Sequence, residues 1–333
     1  SRLINGLNHK KYTIDFLSIN KPFIKDKIKK KINFIRINSS RTLFSFSKVK
    51  EYIQNDKNIY KKKIFLSNQY FANVLSLIFL KNLKNLKLIL MERNHLDELN
   101  YSKNISDFLK KRIILKLIKN VYKKADIIIG NSLSLSKKLS KYTKLKVLTI
   151  YNPSYFPKFY KKKKITNKKE LILLNVARLE DQKDHYTLLK AISLIKEKMK
   201  FKLIIIGYGS LYLKLNNFIK ENYLTDNVKI LNNVLEPSMY YKKADLFILC
   251  SRYEGFPNVL IEAAEKNIPI ISTDCNSGPR EILLDGQGGH LIKVGDYKNL
   301  AKNILNFKKN RSIFVKKSIH CKKNLVRFES NQI

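Results

Sequence analysis

The chain has 333 residues, 44% of them hydrophobic, and a formal net charge of +41 from 67 basic and 26 acidic side chains. That length exceeds what one α/β core needs and suits two. No apolar run reaches the roughly 20 residues of a membrane-crossing helix, Ala72–Leu80 being the best candidate, and the start shows no leader pattern.

Cys250, Cys275 and Cys321 have neither metal-ligand spacing nor a disulfide framework, and read as reduced, partly buried thiols of a cytosolic protein. The charge has two readings, a polyanionic partner or compositional drift. Only 10 of the 67 basic residues are Arg, whereas nucleic-acid recognition recruits Arg for its planar fork. Drift therefore carries the larger share, with a basic face toward anionic lipid as a second component. The runs Lys25–Lys31 and Lys161–Lys164 read as solvated loops.

Short apolar runs alternate with longer amphipathic ones, the pattern of an α/β protein with parallel sheets. Leu3–Leu7 reads as a helix already under way. Strands are expected at Thr13–Ile19, Ile32–Ile37, Lys63–Ser67, Leu86–Met91, Ile127–Gly130 and Lys146–Ile150, then at Leu171–Val176, Lys202–Ile206, Val228–Leu231, Leu246–Leu249 and Pro269–Ser272. Helices separate most of them, for example Thr187–Lys198 and Ser210–Asn222. Tyr122-Lys-Lys-Ala-Asp-Ile-Ile-Ile is echoed by Tyr241-Lys-Lys-Ala-Asp-Leu-Phe-Ile, each the end of a helix, a turn and a buried strand. The echo is weak support for paired Rossmann-like domains, since any such junction has similar needs. Residues 1–152 form the first domain, 153–169 a linker marked by Pro153 and Pro157, and 170–333 the second.

Six segments carry candidate chemistry. Met91-Glu-Arg-Asn-His-Leu96 ends a strand, as does Ser67–Asn68 before it. Asn175-Val-Ala-Arg-Leu-Glu-Asp-Gln-Lys-Asp184 follows the first strand of the second half and offers Arg178 and Lys183, a fork and a point charge suited to phosphate. Ile204-Ile-Ile-Gly-Tyr-Gly-Ser210 is a strand ending in a Gly-x-Gly turn, which permits close backbone approach and equally suits a plain strand-to-helix junction. Asn233 and Val234 follow the next strand. Ser251-Arg-Tyr-Glu-Gly-Phe-Pro-Asn-Val-Leu-Ile-Glu-Ala-Ala264 passes through Gly255 and Pro257 into a helix, with Glu254 and Glu262 eight positions apart. Pro257 suits the first helical position. The amides of Asn258, Val259 and Leu260 then point toward an anion, with the two carboxylates placed to hold neutral hydroxyls.

The Glu254–Glu262 spacing resembles the E-x7-E signature of retaining glycosyltransferases of family 4, which have the GT-B fold: two Rossmann-like domains with parallel sheets facing across a cleft. Cys275-Asn-Ser-Gly-Pro-Arg-Glu-Ile282 and Gly288-Gly-His-Leu-Ile-Lys-Val-Gly-Asp296 continue the family pattern. The resemblance is dense from Leu171 to Ile304 and thin before residue 150. Ala177 and Asp184 stand where the family's Gly-Arg-Leu…Lys-Gly motif usually has glycines. Family chains usually begin earlier, with a glycine-rich loop, and close with a helix crossing back to the first domain. This sequence has only Gly6 before residue 130 and stops at Ile333, so both ends read as incomplete.

The resemblance implies transfer of a hexose or N-acetylhexosamine from a nucleotide sugar, a UDP-sugar, to a glycan or polyprenyl-linked acceptor in surface-glycan synthesis. It makes Arg178 and Lys183 the phosphate ligands, places Glu254 at the transferred sugar, and adds His95 as a catalytic candidate. Glu262 holds the ribose. Gly255, Phe256, Asn258, Val259, Gly207, Gly209, Asn233, Val234, Arg93 and Asn94 line the donor side, and Ser67–Asn68 the acceptor side. No metal and no cofactor beyond the nucleotide sugar is expected: there is no Asp-x-Asp motif, and cations can stabilise the leaving diphosphate. Glu254→Ala or Lys183→Ala is expected to abolish transfer with the domain still folded. A cytoplasmic protein, peripheral on an anionic membrane face, is the expected setting. A UDP-sugar epimerase of the same fold, a basic polyanion-binding protein and an inactive fragment are the alternatives.

Overall fold

A computed structural model describes residues 12–19, 32–39, 42–55, 62–102, 104–155 and 170–329. Leu3–Leu7, Lys25–Lys31, Lys161–Lys164 and most of the linker lie outside those residues. The chain divides into two compact units, Ser1–Pro153 and Ser154–Ile333.

The first unit contains β1 (Asp15–Ser18), β2 (Asn33–Arg36), α1 (Thr42–Gln54), β3 (Lys63–Asn68), α2 (Tyr70–Leu80), β4 (Leu86–Glu92), α3 (Ile105–Val121), β5 (Ile127–Gly130), α4 (Leu133–Thr143) and β6 (Leu148–Thr149). Strands β3-β4-β5-β6 form a parallel sheet in that order, and β1 pairs with β2 in a separate parallel pair. Helices α3 and α4 start where short polar side chains satisfy their unpaired amides. Asn104 Oδ1 accepts from Asp107 N at 2.8 Å for α3, and Ser132 Oγ from Leu135 N at 3.3 Å for α4. Leu88 and Leu90 of β4 pack in one core with Val74, Leu77 and Leu80 of α2 and Ile118 of α3.

The second unit contains β7 (Leu171–Val176), α5 (His185–Ser193), β8 (Phe201–Ile206), α6 (Tyr212–Glu221), β9 (Val228–Leu231), α7 (Ser238–Lys243), β10 (Leu246–Leu249), α8 (Asn258–Glu265), β11 (Ile270–Thr273), α9 (Pro279–Ile282), β12 (His290–Ile292), α10 (Tyr297–Lys309) and α11 (Arg311–Lys323). Six parallel strands run in the order β12-β11-β10-β7-β8-β9. β10 and β11 are buried at every position; β10 is accordingly an unbroken apolar run rather than an alternating one, whereas β11 ends in the buried polar pair Ser272 and Thr273. The edge strand β9 admits the exposed Lys229. Strand β12 was not among the expected strands. It pairs with β11 through only three residues, too few to show a pattern.

The sequence echo has a structural counterpart in each unit. Asp126 precedes β5 and accepts from Leu88 N of β4 at 2.8 Å; Asp245 precedes β10 and accepts from Ile172 N of β7 at 2.9 Å. Each Asp thus ties an incoming strand to its neighbour one residue before regular pairing starts. Tyr122 and Tyr241 are both buried, and each donates its hydroxyl to a carboxylate, Glu92 and Glu262. The repeated letters encode one device used twice.

Candidate active site

In the second unit the strand order reverses between β7 and β10: β7 leads to β8 and β9 on one side, β10 to β11 and β12 on the other. Loops leaving the carboxyl ends of two such strands diverge and open a crevice, the usual ligand site of an open parallel sheet. Here those loops are 177–184 and 250–257, the two segments carrying Arg178, Lys183 and Glu254.

Hydrogen bonds join the two loops and brace each of them internally. The Lys183 ammonium donates to Glu254 Oε1, and Ser251 Oγ donates to the same oxygen at 2.6 Å. Arg178 Nη2 donates to Gln182 Oε1 at 3.0 Å, and Gln182 Nε2 to Tyr253 O at 2.9 Å. Glu254 is 5% exposed. A charge so far from water persists because it is paired and doubly hydrogen-bonded. Arg178 is exposed.

Backbone geometry accounts for Asp184, which stands where the family usually has glycine. Asp184 sits in the left-handed region at φ 45°, where glycine is easiest and Asp is among the tolerated residues. It also caps α5, its Oδ1 accepting from Thr187 N at 3.4 Å, while Oδ2 accepts from Thr187 Oγ1 at 2.9 Å. Ala177 sits against Gly207: a Cβ on Gly207 would lie 1.8 Å from Ala177 O. A Cβ on Gly209 would lie 2.4 Å from Leu179 O. The Gly-x-Gly turn therefore serves to pack the β8 loop directly on the Arg178 loop, which a plain strand-to-helix junction does not require. Glu180 reinforces the contact by accepting from Ser210 N at 3.0 Å and Ser210 Oγ at 2.9 Å. Asn233, with φ 56°, and Val234 follow β9 on the same unit.

Helix α8 starts one residue later than the sequence implied. Pro257 is its cap in extended geometry, not its first helical residue. Leu260 N donates to Pro257 O at 3.0 Å, closing the first turn, so Leu260 is withdrawn from the anion-facing amides and that role falls to Asn258 and Val259. Asn258 Oδ1 accepts from Ser154 Oγ at 2.7 Å. Phe256 and Gly255 are buried. The Phe256 ring meets Phe328 edge-on at 5.0 Å, which leaves the backbone as its means of contacting a ligand. Ser277 Oγ donates to Gly255 O at 3.2 Å. Gly278, at φ 74°, lets the next loop reach Pro257, where a Cβ would lie 2.5 Å from the ring. Glu262 lies on α8, and its Oε2 accepts from Tyr241 at 2.9 Å.

Residue patterns did not single out Ser251, Gln182, Tyr241, Ser277 or His185. Gln182, Tyr241 and Ser277 act through an amide or hydroxyl on a partner far away in sequence, which spacing does not record, and Ser251 acts on Glu254 three residues on. His185 opens α5 beside Lys183, fully enclosed, with both ring nitrogens unpartnered. Burial, helped by the Lys183 charge, pulls its pKa down to about 4. Burial also pushes the Cys250 and Cys275 thiols up, so neither is a ready nucleophile.

The remaining candidates lie in the first unit, at the end of β4. Arg93 is exposed, and its carbonyl accepts from Asn131 Nδ2 at 3.2 Å. Asn94 O accepts from Tyr70 Oη at 2.6 Å. His95 is 3% exposed and caps the turn at Leu96–Asn100, its Nδ1 accepting from Asp97 N at 3.3 Å. Burial lowers its pKa against the opposing pull of Asp97. Its contacts are those of a structural residue. Ser67 is buried and Asn68 exposed.

Comparison with known proteins gives the family. The family "Glycosyl transferases group 1" matches residues 157–325, about half of the chain. An uncharacterized glycosyltransferase of Methanocaldococcus jannaschii is 31% identical over 82% of this chain and 72% of its own length. A Campylobacter jejuni 4-alpha-N-acetylgalactosaminyltransferase, named for a diphospho-undecaprenol acceptor, is 30% identical over 61% of this chain and 56% of its own. Among solved structures, Anabaena HepE in complex with UDP-glucose superposes with a TM-score of 0.74 at 16% identity, covering 95% of this chain and 87% of that one. Two α/β units with parallel sheets and these relatives define a GT-B fold, and the chain belongs to the group 1 glycosyl transferases.

Proposed function

We propose that this protein is a retaining hexosyltransferase of family 4. It would move a hexose or N-acetylhexosamine from a UDP-sugar to a glycan or polyprenyl-linked acceptor, at the cytoplasmic face of an anionic membrane. The carrying observation is the Lys183–Glu254 pair between two diverging strand ends, beside the start of α8. The names of the Campylobacter and Anabaena proteins support the acceptor and donor classes respectively.

In this reading the glycosidic carbon–oxygen bond to the diphosphate breaks while the acceptor hydroxyl bonds to the same sugar face. The acceptor's proton passes to the departing phosphate oxygen. The protein's task is placement and charge stabilisation. Arg178 and Lys183 meet the growing negative charge, with the amides of Asn258 and Val259 at the helix start. The donor phosphate competes with Glu254 for Lys183, leaving that carboxylate to take a sugar hydroxyl. Glu262, held by Tyr241, takes the ribose. Metal-independent transfer is part of the proposal and rests on these cations.

The test is product analysis with UDP-glucose, UDP-galactose, UDP-GlcNAc and UDP-GalNAc, with and without a polyprenyl-diphosphate-linked sugar, in chelator and in added Mg²⁺. Acceptor-dependent UDP release with retained anomeric configuration supports the reading. Conversion of one UDP-sugar into its epimer without acceptor would replace it with an epimerase.

A further inference from the structure

Helix α3 shows solvent an unusual face. Ile105, Phe108, Leu109 and Ile113 are 80%, 42%, 55% and 59% exposed. They recur three or four positions apart and so share one side of the helix. Arg112 and Lys116, both exposed, fall within that stripe, and the Arg112 guanidinium stands 5.1 Å from the Phe108 ring centroid. The helix's one acidic residue, Asp107, is paired with Lys111 at 2.9 Å. Beside this face is a cavity of about 610 Å³, walled by Phe71 and Ile78 of α2 and Ile113 of α3, with Glu92, Glu98 and Asp107 also in its lining. Phe71 and Ile78 are themselves 44% and 53% exposed.

Scattered exposed apolar side chains are ordinary; a contiguous patch studded with cations is not. We propose that α3, with the adjoining wall of α2, is a membrane-docking face. It inserts Phe108, Leu109 and Ile113 among the acyl chains of an anionic bilayer while Arg112 and Lys116 bond lipid phosphates. Charge selects this occupant: the surface needs a partner that is both apolar and negative, and long basic side chains reach headgroups while their stems stay in the apolar layer. The inference deepens the proposed membrane setting, rests on that reading only for the anionic partner, and is independent of the donor site.

The test is co-sedimentation with vesicles of phosphatidylcholine alone or mixed with about 30% phosphatidylglycerol, at roughly 0.1 M and 0.5 M salt. UDP binding is measured on the same samples. The wild-type protein is expected to bind the anionic vesicles and to keep part of that binding at high salt. Phe108→Ser/Leu109→Ser is expected to lose about tenfold and all of the salt-resistant part. Arg112→Glu/Lys116→Glu is expected to lose more than about tenfold, and the equal charge change Lys302→Glu/Lys308→Glu on α10 less than about twofold. Equal losses from both charge pairs, no effect of the apolar pair, or no wild-type binding would overturn the proposal. Unchanged UDP affinity in every variant separates its failure from failure of the transferase reading.

Discussion

Lys183 and Glu254, 71 positions apart, form an ion pair in which Ser251 donates to the same carboxylate oxygen. Their side chains are 13% and 7% exposed. Removing either partner alone strands a charge away from water, at a cost of about 3 kcal/mol or more. The expectation that single alanine variants leave the domain undisturbed therefore changes. Lys183→Ala should lower both transfer and the urea midpoint. Glu254→Gln keeps an acceptor for Ser251 and Lys183 and should stay folded while losing transfer. The double variant Lys183→Met/Glu254→Gln should recover most of the lost stability and none of the activity. Full stability in Lys183→Ala would show the pair to be energetically idle.

Gly207→Ala places a methyl group 1.8 Å from Ala177 O, and backbone, not a pliable side chain, has to yield. We expect a loss of about 2 kcal/mol or more, together with weaker UDP binding as the Arg178 loop is pushed away. Thermal unfolding and calorimetry on one preparation check both. An unperturbed variant would mean that the two loops are not held in contact.

Tyr241→Phe removes one hydroxyl and the bond to Glu262 Oε2. The ring stays stacked on Phe247 at 5.7 Å, so packing is kept. The reoriented carboxylate should weaken UDP about three- to tenfold, the worth of one charge-assisted hydrogen bond. A nucleotide lacking ribose hydroxyls should bind wild type and variant alike; an equal effect on both ligands would separate Tyr241 from ribose recognition.

Glu92 provides a pH prediction in the first unit. It is wholly buried, accepts from Asn73 at 2.7 Å and from Tyr122, and burial lifts its pKa from 4.5 to about 8. Between those values the folded state holds a proton that the unfolded chain has released. Stability should therefore fall as pH rises from about 4.5 to 8 and then level off. Glu92→Gln cannot ionise and should be the more stable protein at pH 7.5, by on the order of 4 kcal/mol, with no advantage near pH 4.5. Parallel stability curves for the two proteins would contradict the assignment.

Much of this architecture could be read from the letters. A strand buried on both faces prints as an unbroken apolar run, as β10 (Leu-Phe-Ile-Leu) does, and its expected bounds match; the bounds of β7 and β9 match too, although Asn175 interrupts β7 and Lys229 interrupts β9. β12 was missed because three residues cannot establish a pattern. The site was legible where a motif is local: Glu254, Gly255 and Glu262 lie on one strand-turn-helix unit. What spacing does not show is pairing across the sheet. Lys183 with Glu254, Tyr241 with Glu262 and Gly207 with Ala177 depend on strand order, which sequence patterns alone do not fix. Pro257 was set one position too deep because proline is compatible with both the cap and the first turn.

The most direct test is calorimetric titration of the chain with UDP, GDP and ADP, without divalent metal and at moderate salt, beside Glu262→Ala. A donor site built on Lys183, Arg178 and Glu262 predicts selective binding of UDP that the variant loses. Equal binding of all three nucleotides, fading with salt and indifferent to Glu262, would contradict it and identify only a basic surface.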